Sequence, residues 1–368
     1  MFELSVLKQD ILAPLLIVFG AVGKKAANPL LSHVLLSLKG DVLTLTATDL
    51  ELEISARVPC TGVRAEGEVA VPAKKFVDII RSLDDQTNPT IKVDEAGMLI
   101  REGRSLFKVA TLPANGFPRT QDEQSEFELS LPTSCFTKLL QTTYFSVSQQ
   151  DVRVFLNCLL LDIDNTGVTA VGTDGHRMAI SKLPLSLEHQ QHRMLIPRRA
   201  IAEMLRLVAP LEEDHLVLST GKNYFRLVTK QFTFISKLVE SRFPVYTKAI
   251  PLQHAIHVVL DIEQLKRALN RIVILAHEKS RAVLMHVQDG LVTLVANNQE
   301  KEEAIESIEG KTEGGELKIG LNAHYLLDVL NCLTGATIHL SFADSDSSIL
   351  VTSPTDEHYK YIIMPMKL

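Results

Sequence analysis

The segment Thr173-Asp174-Gly175-His176-Arg177 places a carboxylate two residues before an imidazole. A histidine base oriented by an aspartate is the arrangement that proton abstraction and acyl transfer use. Asp-Gly is also a common turn dipeptide, and the aligned segments Thr48-Asp49 and Asn297-Asn298 carry no histidine. The chain has no Gly-x-Ser-x-Gly elbow, no P-loop and no His-Glu-x-x-His zinc motif. His189-x-x-His192 falls in a polar loop with no cysteine at ligand spacing. Cysteines stand at 60, 135, 158 and 332, none in Cys-x-x-Cys spacing and each in or beside an apolar stretch. They read as the reduced thiols of a cytosol. The expectation is a protein without catalytic residues, metal or cofactor.

The elements that hold these residues must come from a chain of 368 residues, enough for two to four domains of roughly 100–200 residues. Hydrophobic residues make up 46% and charged residues 22%, which excludes a disordered or collagen-like chain. Lys and Arg total 38 against 44 Asp and Glu, a net charge of −6. Attraction to nucleic acid must therefore rest on where the charges sit. Aromatics are 5% and Trp is absent, against a groove that stacks bases or sugars. The longest apolar run, residues 11–23, is short of the ~20 residues of a membrane span. Glu3 and Asp10 precede it and Pro14 interrupts it, unlike a signal peptide. A soluble cytoplasmic protein is expected.

Internal repetition is the strongest organising signal. Leu43-Thr44-Leu45-Thr46-Ala47-Thr48-Asp49 is echoed by Val168-Thr169-Ala170-Val171-Gly172-Thr173-Asp174 and by Val292-Thr293-Leu294-Val295-Ala296-Asn297-Asn298, at offsets of 125 and 124. Val71-Pro72-Ala73, Ile196-Pro197-Arg198 and Gly320-Leu321-Asn322 keep the same offsets, and each opens an apolar helical pattern. Phe2-Glu3-Leu4-Ser5 returns as Phe127-Glu128-Leu129-Ser130. The spacing predicts three homologous domains, 1–122, 127–250 and 254–368. Each reads as two βαββ halves, two helices against antiparallel sheets, so the fold class is α+β. Helices are predicted over 9–22, 73–83, 134–148, 198–208, 263–275 and 322–333, with a turn or bulge at Thr48-Asp49.

Charge is segregated among these elements. The six helical segments carry ten basic and five acidic residues, a net +5 within a chain of −6. Equivalent helices facing one way would form a cationic surface that holds a duplex by its phosphates. No helix presents Asn, Gln and Arg at base-reading spacing, so sequence-specific recognition is not expected.

Taken with Gln150-Asp151-Val152-Arg153, Gly172-Thr173-Asp174-Gly175-His176-Arg177, Ser236-Lys237-Leu238-Val239, Arg242-Phe243-Pro244, Tyr325-Leu326-Leu327-Asp328-Val329-Leu330-Asn331 and Met364-Pro365-Met366-Lys367-Leu368, the whole chain resembles the bacterial DNA sliding clamps, the beta subunits of DNA polymerase III. The resemblance implies a processivity factor. A head-to-tail homodimer would close a ring of six domains around double-stranded DNA without sequence preference. Lys24, Lys25, Arg81, Lys138, Gln150, Arg198, Arg199 and Arg206 are the candidates for its lining.

The subunit interface is expected to join Glu300, Glu302, Glu303 and Glu306 of one copy to Lys75 and Arg104 of the other, beside Phe107 and Val109. The resemblance adds Ile274 and Leu275 packing there. It further implies a peptide-binding pocket between the second and third domains for the replicative polymerase alpha subunit, the clamp-loader delta subunit and other proteins bearing a clamp-binding motif. Carried over residue by residue, the pocket comprises Arg153, Leu156, Thr173, Gly175, His176, Arg177, Met178, Pro244, Lys248, Asn322, Tyr325, Ser348, Ile362, Ile363, Met364, Pro365, Met366 and Leu368. Met178 stands where the family commonly has Leu, Lys248 and Lys367 replace arginines, and Asp346 occupies an often apolar place.

Overall fold

The computed structural model describes residues 1–23, 28–120, 125–187 and 191–367. Within them lie six α-helices: α1 (Lys8–Phe19), α2 (Ala73–Ser82), α3 (Thr133–Gln141), α4 (Arg198–Val208), α5 (Ile262–Ile272) and α6 (Ala323–Cys332). Local chemistry sets several of their ends. The Asp261 carboxylate accepts from Gln264 N at 2.8 Å and starts α5, and Asn322 Oδ1 accepts from His324 N at 2.9 Å to start α6. Helix α3 stops seven residues before the end expected from the sequence pattern. Thr142 and Thr143 turn their hydroxyls back onto the carbonyls of Lys138 and Leu139, at 2.7 and 2.6 Å. Such back-bonding competes with the helical ladder, and a short 3-10 turn, Tyr144–Ser146, follows. Pro14 lies inside α1, which nevertheless runs through it.

The chain divides into two compact units, Met1–Ser134 with Arg206–Leu238, and Cys135–Leu205 with Val239–Leu368. Every strand pairing among the described residues is antiparallel. The first unit has two sheets. Five strands run in the order Thr61–Arg64, Phe2–Ser5, Thr90–Asp94, Gly97–Glu102, Ser105–Val109. Eight run in the order Phe127–Pro132, His215–Thr220, Tyr224–Val228, Phe232–Lys237, Leu52–Pro59, Val42–Thr48, His33–Lys39, Gly67–Pro72. Helices α1 and α2 pack on each other, and α1 lies over the strands Val42–Thr48 and Leu52–Pro59. Leu4, Ile11, Leu15, Leu36, Leu43 and Phe76 are fully buried there.

The second unit repeats the plan. Its nine-stranded sheet runs His192–Pro197, Cys158–Asp164, Gly167–Thr173, Arg177–Pro184, Asp356–Ile363, Ile349–Ser353, Thr337–Phe342, Ile256–Asp261, Lys311–Glu313. A four-stranded sheet runs Glu303–Glu309, Leu291–Asn297, Ala282–Gln288, Leu317–Asn322. Helices α5 and α6 pack together, and Leu265, Leu269, Leu326, Phe342 and Tyr361 belong to one buried cluster. The expected turn at Thr48-Asp49 is a hairpin turn between Val42–Thr48 and Leu52–Pro59.

In both large sheets a strand of one sequence repeat pairs with a strand of the next. Leu52 lies opposite Ser236, and Arg177 opposite Ile363. The sheets therefore run across the repeat junctions. All four cysteines are free, and burial pushes the Cys158 and Cys332 thiols up to about 11. Among the described residues no helix is long and apolar enough to cross a membrane.

Gly172 closes the packing just ahead of the candidate site. A Cβ built there would lie 2.5 Å from the Thr143 carbonyl oxygen and 3.0 Å from Val147 Cγ2. The Gly172→Ala substitution forces that backbone apart and is expected to lower the unfolding free energy by about 1–3 kcal/mol. Urea unfolding of the two proteins checks this; equal midpoints would show that the contact yields freely.

Candidate functional site

The turn Thr173–Arg177 is built by its own side chains. Thr173 Oγ1 donates to Arg177 O at 2.7 Å and accepts from Gly175 N at 3.1 Å. Asp174 Oδ1 accepts from the backbone N–H groups of His176 and Arg177 at 2.9 and 3.0 Å. Asp174 Oδ2 accepts from Arg177 Nε at 3.0 Å. Both oxygens of the carboxylate are engaged by the turn and the guanidinium, while His176 is exposed. The pair is thus a turn-forming device and lacks the aspartate–imidazole hydrogen bond of a catalytic dyad. The first repeat has the same turn: Thr48 Oγ1 donates to Leu52 O at 2.7 Å, and Asp49 Oδ1 accepts from Glu51 N and Leu52 N at 3.0 and 2.8 Å. At its third position φ is +88° for Gly175 and +79° for Leu50, a conformation that glycine adopts without strain.

Arg177 connects three separated stretches of chain. Besides Asp174, its Nη1 donates to Asp328 Oδ2 of α6 at 2.5 Å and its Nη2 to Phe145 O at 2.8 Å. Its guanidinium also lies 4.4 Å from the Tyr325 ring centroid and 5.4 Å from that of Phe145. A planar fork of five donors can make these contacts together; an ammonium cannot. Burial, followed by the Asp174 charge, pushes the Tyr325 phenol up, so it remains neutral beside the guanidinium.

Above this framework opens a cleft of about 330 Å³. Of the residues expected to form a pocket, Thr173, Gly175, His176, Arg177, Met178, Pro244, Ser348, Ile362 and Met364 line it. Leu156 and Ile363 are buried beneath the surface. The Arg153 guanidinium is turned to Asp151, with Nε and Nη2 both 3.1 Å from its carboxylate. Lys248 is exposed and does not line the cleft. Asn322 caps α6 and Tyr325 stacks on Arg177. Pro365 and Met366 lie beyond the lining, Met366 N donating to Gly320 O at 2.8 Å. Leu368 lies outside the described residues.

Four lining residues escaped the sequence reading: Phe243, Val245, Tyr246 and Ala249. Phe243 and Tyr246 pack on a buried cluster that includes Met178 and Ile362. The available signal was a run of apolar residues, one of them part of Arg242-Phe243-Pro244, in a stretch without strand or helix periodicity.

The candidates for the lining differ in exposure and in the contacts that hold them. Lys138 is paired with Asp356 at 3.1 Å and lies over the Tyr359 ring at 4.8 Å. Arg198 donates to Tyr144 O and Val147 O and stacks on the Tyr144 ring, and Arg206 donates to Ile17 O at 3.1 Å. Arg81, Gln150 and Arg199 are exposed. Lys24 and Lys25 lie outside the described residues, as does His189.

Among the interface candidates, Lys75, Arg104, Ile274, Glu300, Glu302 and Glu303 are exposed, and Phe107 and Leu275 are partly buried. Val109 is inside its own core at 5% exposure, while Leu106, on the opposite face of the same edge strand, is 56% exposed. Alternation along the strand accounts for the difference. Glu306 is held by Arg271, whose Nε and Nη2 lie 2.7 and 2.6 Å from its carboxylate. A cavity of about 450 Å³ lies among Ile274, His277, Gln299 and Glu300.

Arg177→Ala would remove the guanidinium that donates to Asp174 Oδ2, Asp328 Oδ2 and the Phe145 carbonyl. The expected loss is about 2–4 kcal/mol of unfolding free energy, with Arg177→Lys recovering less than half of it. Denaturant titrations of the three proteins measure both; an alanine variant within about 1 kcal/mol of the parent would contradict the framework role.

Family models match all three repeats: the N-terminal domain of the DNA polymerase III beta subunit at residues 2–121, the central domain at 130–245 and the C-terminal domain at 247–367. The chain is 38% identical over 367 residues to the beta sliding clamp of Vibrio cholerae, covering 100% of both chains. It is similar to the crystal structure of the DNA polymerase III subunit beta from Pseudomonas aeruginosa, with TM-score 0.96, 37% identity, and 99% and 100% of the two chains covered. A second P. aeruginosa structure, a sliding clamp bound to griselimycin, matches with TM-score 0.96 and 37% identity over 100% of both chains. Repeat for repeat and from end to end, then, the chain belongs to the DNA polymerase III beta subunit family, the beta sliding clamps, which are non-catalytic processivity factors.

Proposed function

We propose that the chain consists of three clamp domains, 1–122, 127–250 and 254–368, and closes with a second copy into a ring around duplex DNA. The ring tethers the replicative polymerase and other replication proteins through the cleft at Thr173–Arg177. The observation that carries the docking reading is the cleft itself. It is an apolar hollow of about 330 Å³ with Met178 and Ile362 in its lining, bordered by His176 and Arg177. Methionine side chains adapt to different apolar partners, and a few fixed polar groups orient them. The polymerase alpha subunit, the clamp-loader delta subunit and other proteins with an extended apolar segment are the partners this chemistry suits.

Ring closure draws support from two edge strands. Ser105–Val109 ends the five-stranded sheet and Glu303–Glu309 ends the four-stranded sheet. Edge strands present unpaired backbone groups to another chain. Arg104, which precedes the first strand, and Lys75, exposed on α2, are opposite in charge to Glu300, Glu302 and Glu303 at the second, and Leu106 and Ile274 supply apolar surface. Joining unlike ends is a heterologous contact, which forms a ring when the rotation closes. Arg81 and Gln150, with Lys24 and Lys25, are the lining residues we favour for phosphate. Few such contacts give a shallow dependence of log K on log salt, about −0.9 per phosphate neutralised. A ring that acts on replicating DNA would work in the cytoplasm.

Two experiments test this. Loaded by a clamp loader on nicked circular DNA, the protein is expected to stay on the circle and to leave once the DNA is linearised. Ile274→Asp, made to prevent closure, is expected to sediment as a monomer and not to be retained. Equal retention on circle and linear DNA would identify a scaffold that does not encircle. For the cleft, deleting residues 364–368 is expected to leave the dimer intact and abolish polymerase binding in calorimetry; unchanged affinity would refute the docking reading.

A further inference from the structure

Tyr246 belongs to a strap, residues 243–249, that forms one wall of the cleft. Among the described residues the strap's backbone bonds are internal: Lys248 N donates to Val245 O at 3.1 Å and Ile250 N to Thr247 O at 3.4 Å. Its hydrogen bond to the sheet comes from a side chain, the Tyr246 hydroxyl donating to Asp162 Oδ2 at 3.4 Å. Asp162 stands on the strand Cys158–Asp164 directly opposite Arg193, and it lines no part of the cleft. Arg193 Nη2 donates to Asp162 Oδ2 at 2.9 Å, and Gln191 Nε2 donates to Oδ1 at 2.9 Å. The side chain of Asp162 is 5% exposed. A carboxylate so buried is tolerated because donors surround it. Burial first, and then the Asp162 charge, push the Tyr246 phenol up, so it stays a proton donor. The ring packs on the buried cluster of Leu160, Leu195 and Ile362, giving the residue one apolar face and one polar end.

The first repeat tethers the corresponding segment at the corresponding cross-strand pair with different chemistry. There Ser37 lies opposite Glu68. Glu68 accepts from Ser37 Oγ at 2.8 Å and from Arg119 Nη2 at 2.6 Å, and Arg119 follows Phe117-Pro118 as Val245 follows Phe243-Pro244. A second bond, Thr120 N to Glu53 at 2.7 Å, draws that segment down, and the cavity beside Thr120 is about 20 Å³. In the second repeat Met178 takes the place of Glu53 in the strand pairing, and the cleft is about 330 Å³.

We infer that Asp162 is a positioning residue for the peptide cleft: with Arg193 and Gln191 fixing its carboxylate, it holds Tyr246 and so sets the strap at the separation that admits a peptide. This rests on the docking reading above.

The test uses the full-length dimer, with fluorescence polarisation of a labelled synthetic peptide carrying the clamp-contacting segment of a polymerase alpha subunit. Tyr246→Phe keeps the ring and removes the donor. It is expected to weaken binding roughly threefold to tenfold, while the thermal midpoint falls by no more than about 4 °C. Asp162→Ala is expected to weaken binding at least as much, and the double variant to bind no worse than Asp162→Ala alone, because the two changes break one interaction. Full affinity in Tyr246→Phe, or additive losses in the double variant, overturns the inference while leaving docking in place. A parent protein that binds no peptide removes both. Should Asp162→Ala fail to fold, Tyr246→Phe decides alone.

Discussion

The strand Arg177–Pro184 pairs with Asp356–Ile363, and that backbone ladder joins two sequence repeats into one sheet. The cleft depends on it. The register sets Met178 opposite Ile362, so two apolar side chains from strands nearly two hundred residues apart share one face. It also carries the chain past the turn, where Met364 N donates to His176 O at 2.9 Å and brings Met364 to the lining. A slip of one residue would reverse the faces and remove the hollow. Arg177 then anchors the junction to α6 and to the turn after α3, binding Asp328 and the Phe145 carbonyl.

The junction between the strands Leu52–Pro59 and Phe232–Lys237 has the same backbone logic and different side chains. Glu53 faces Ile235 there. Burial raises the Glu53 carboxyl, while hydrogen bonds from Thr120 and the charges of Arg119 and Arg226 lower it. A carboxylate in that place needs donors, and the segment after Phe117-Pro118 supplies one. The same architecture thus gives an occupied polar contact at one junction and an apolar hollow at the other.

The helices also show that charge and availability differ. Lys138, Arg198 and Arg206 contribute to the positive balance of the helices, yet each is committed to an acceptor within its own fold. A guanidinium that already holds a backbone carbonyl stabilises that turn and has fewer donors left for a phosphate. Arg198 bonds the carbonyls of Tyr144 and Val147, which helps explain why the chain after α3 leaves the helix where it does.

Much of the fold was legible because it rests on repetition and local chemistry. Offsets of 125 and 124 identified three copies of one unit, the Thr-Asp turns marked hairpins, and apolar periodicity located the six helices of the described residues. The early end of α3 was not legible, since it depends on Thr142 and Thr143 and on the close approach of the Thr143 carbonyl to Gly172. Nor was the inward turn of Val109, which follows from strand parity.

For the cleft, the family resemblance supplied Thr173, His176, Arg177, Met178, Pro244 and Met364, but residue order could not reveal Tyr246 or its tie to Asp162. Sequence alone determined the repeated elements and the segregation of charge, because period and composition are properties of neighbours along the chain. Tertiary structure decided which junction opens and which cations are already spent. Those outcomes depend on strand register and on side chains that meet only after distant segments have packed.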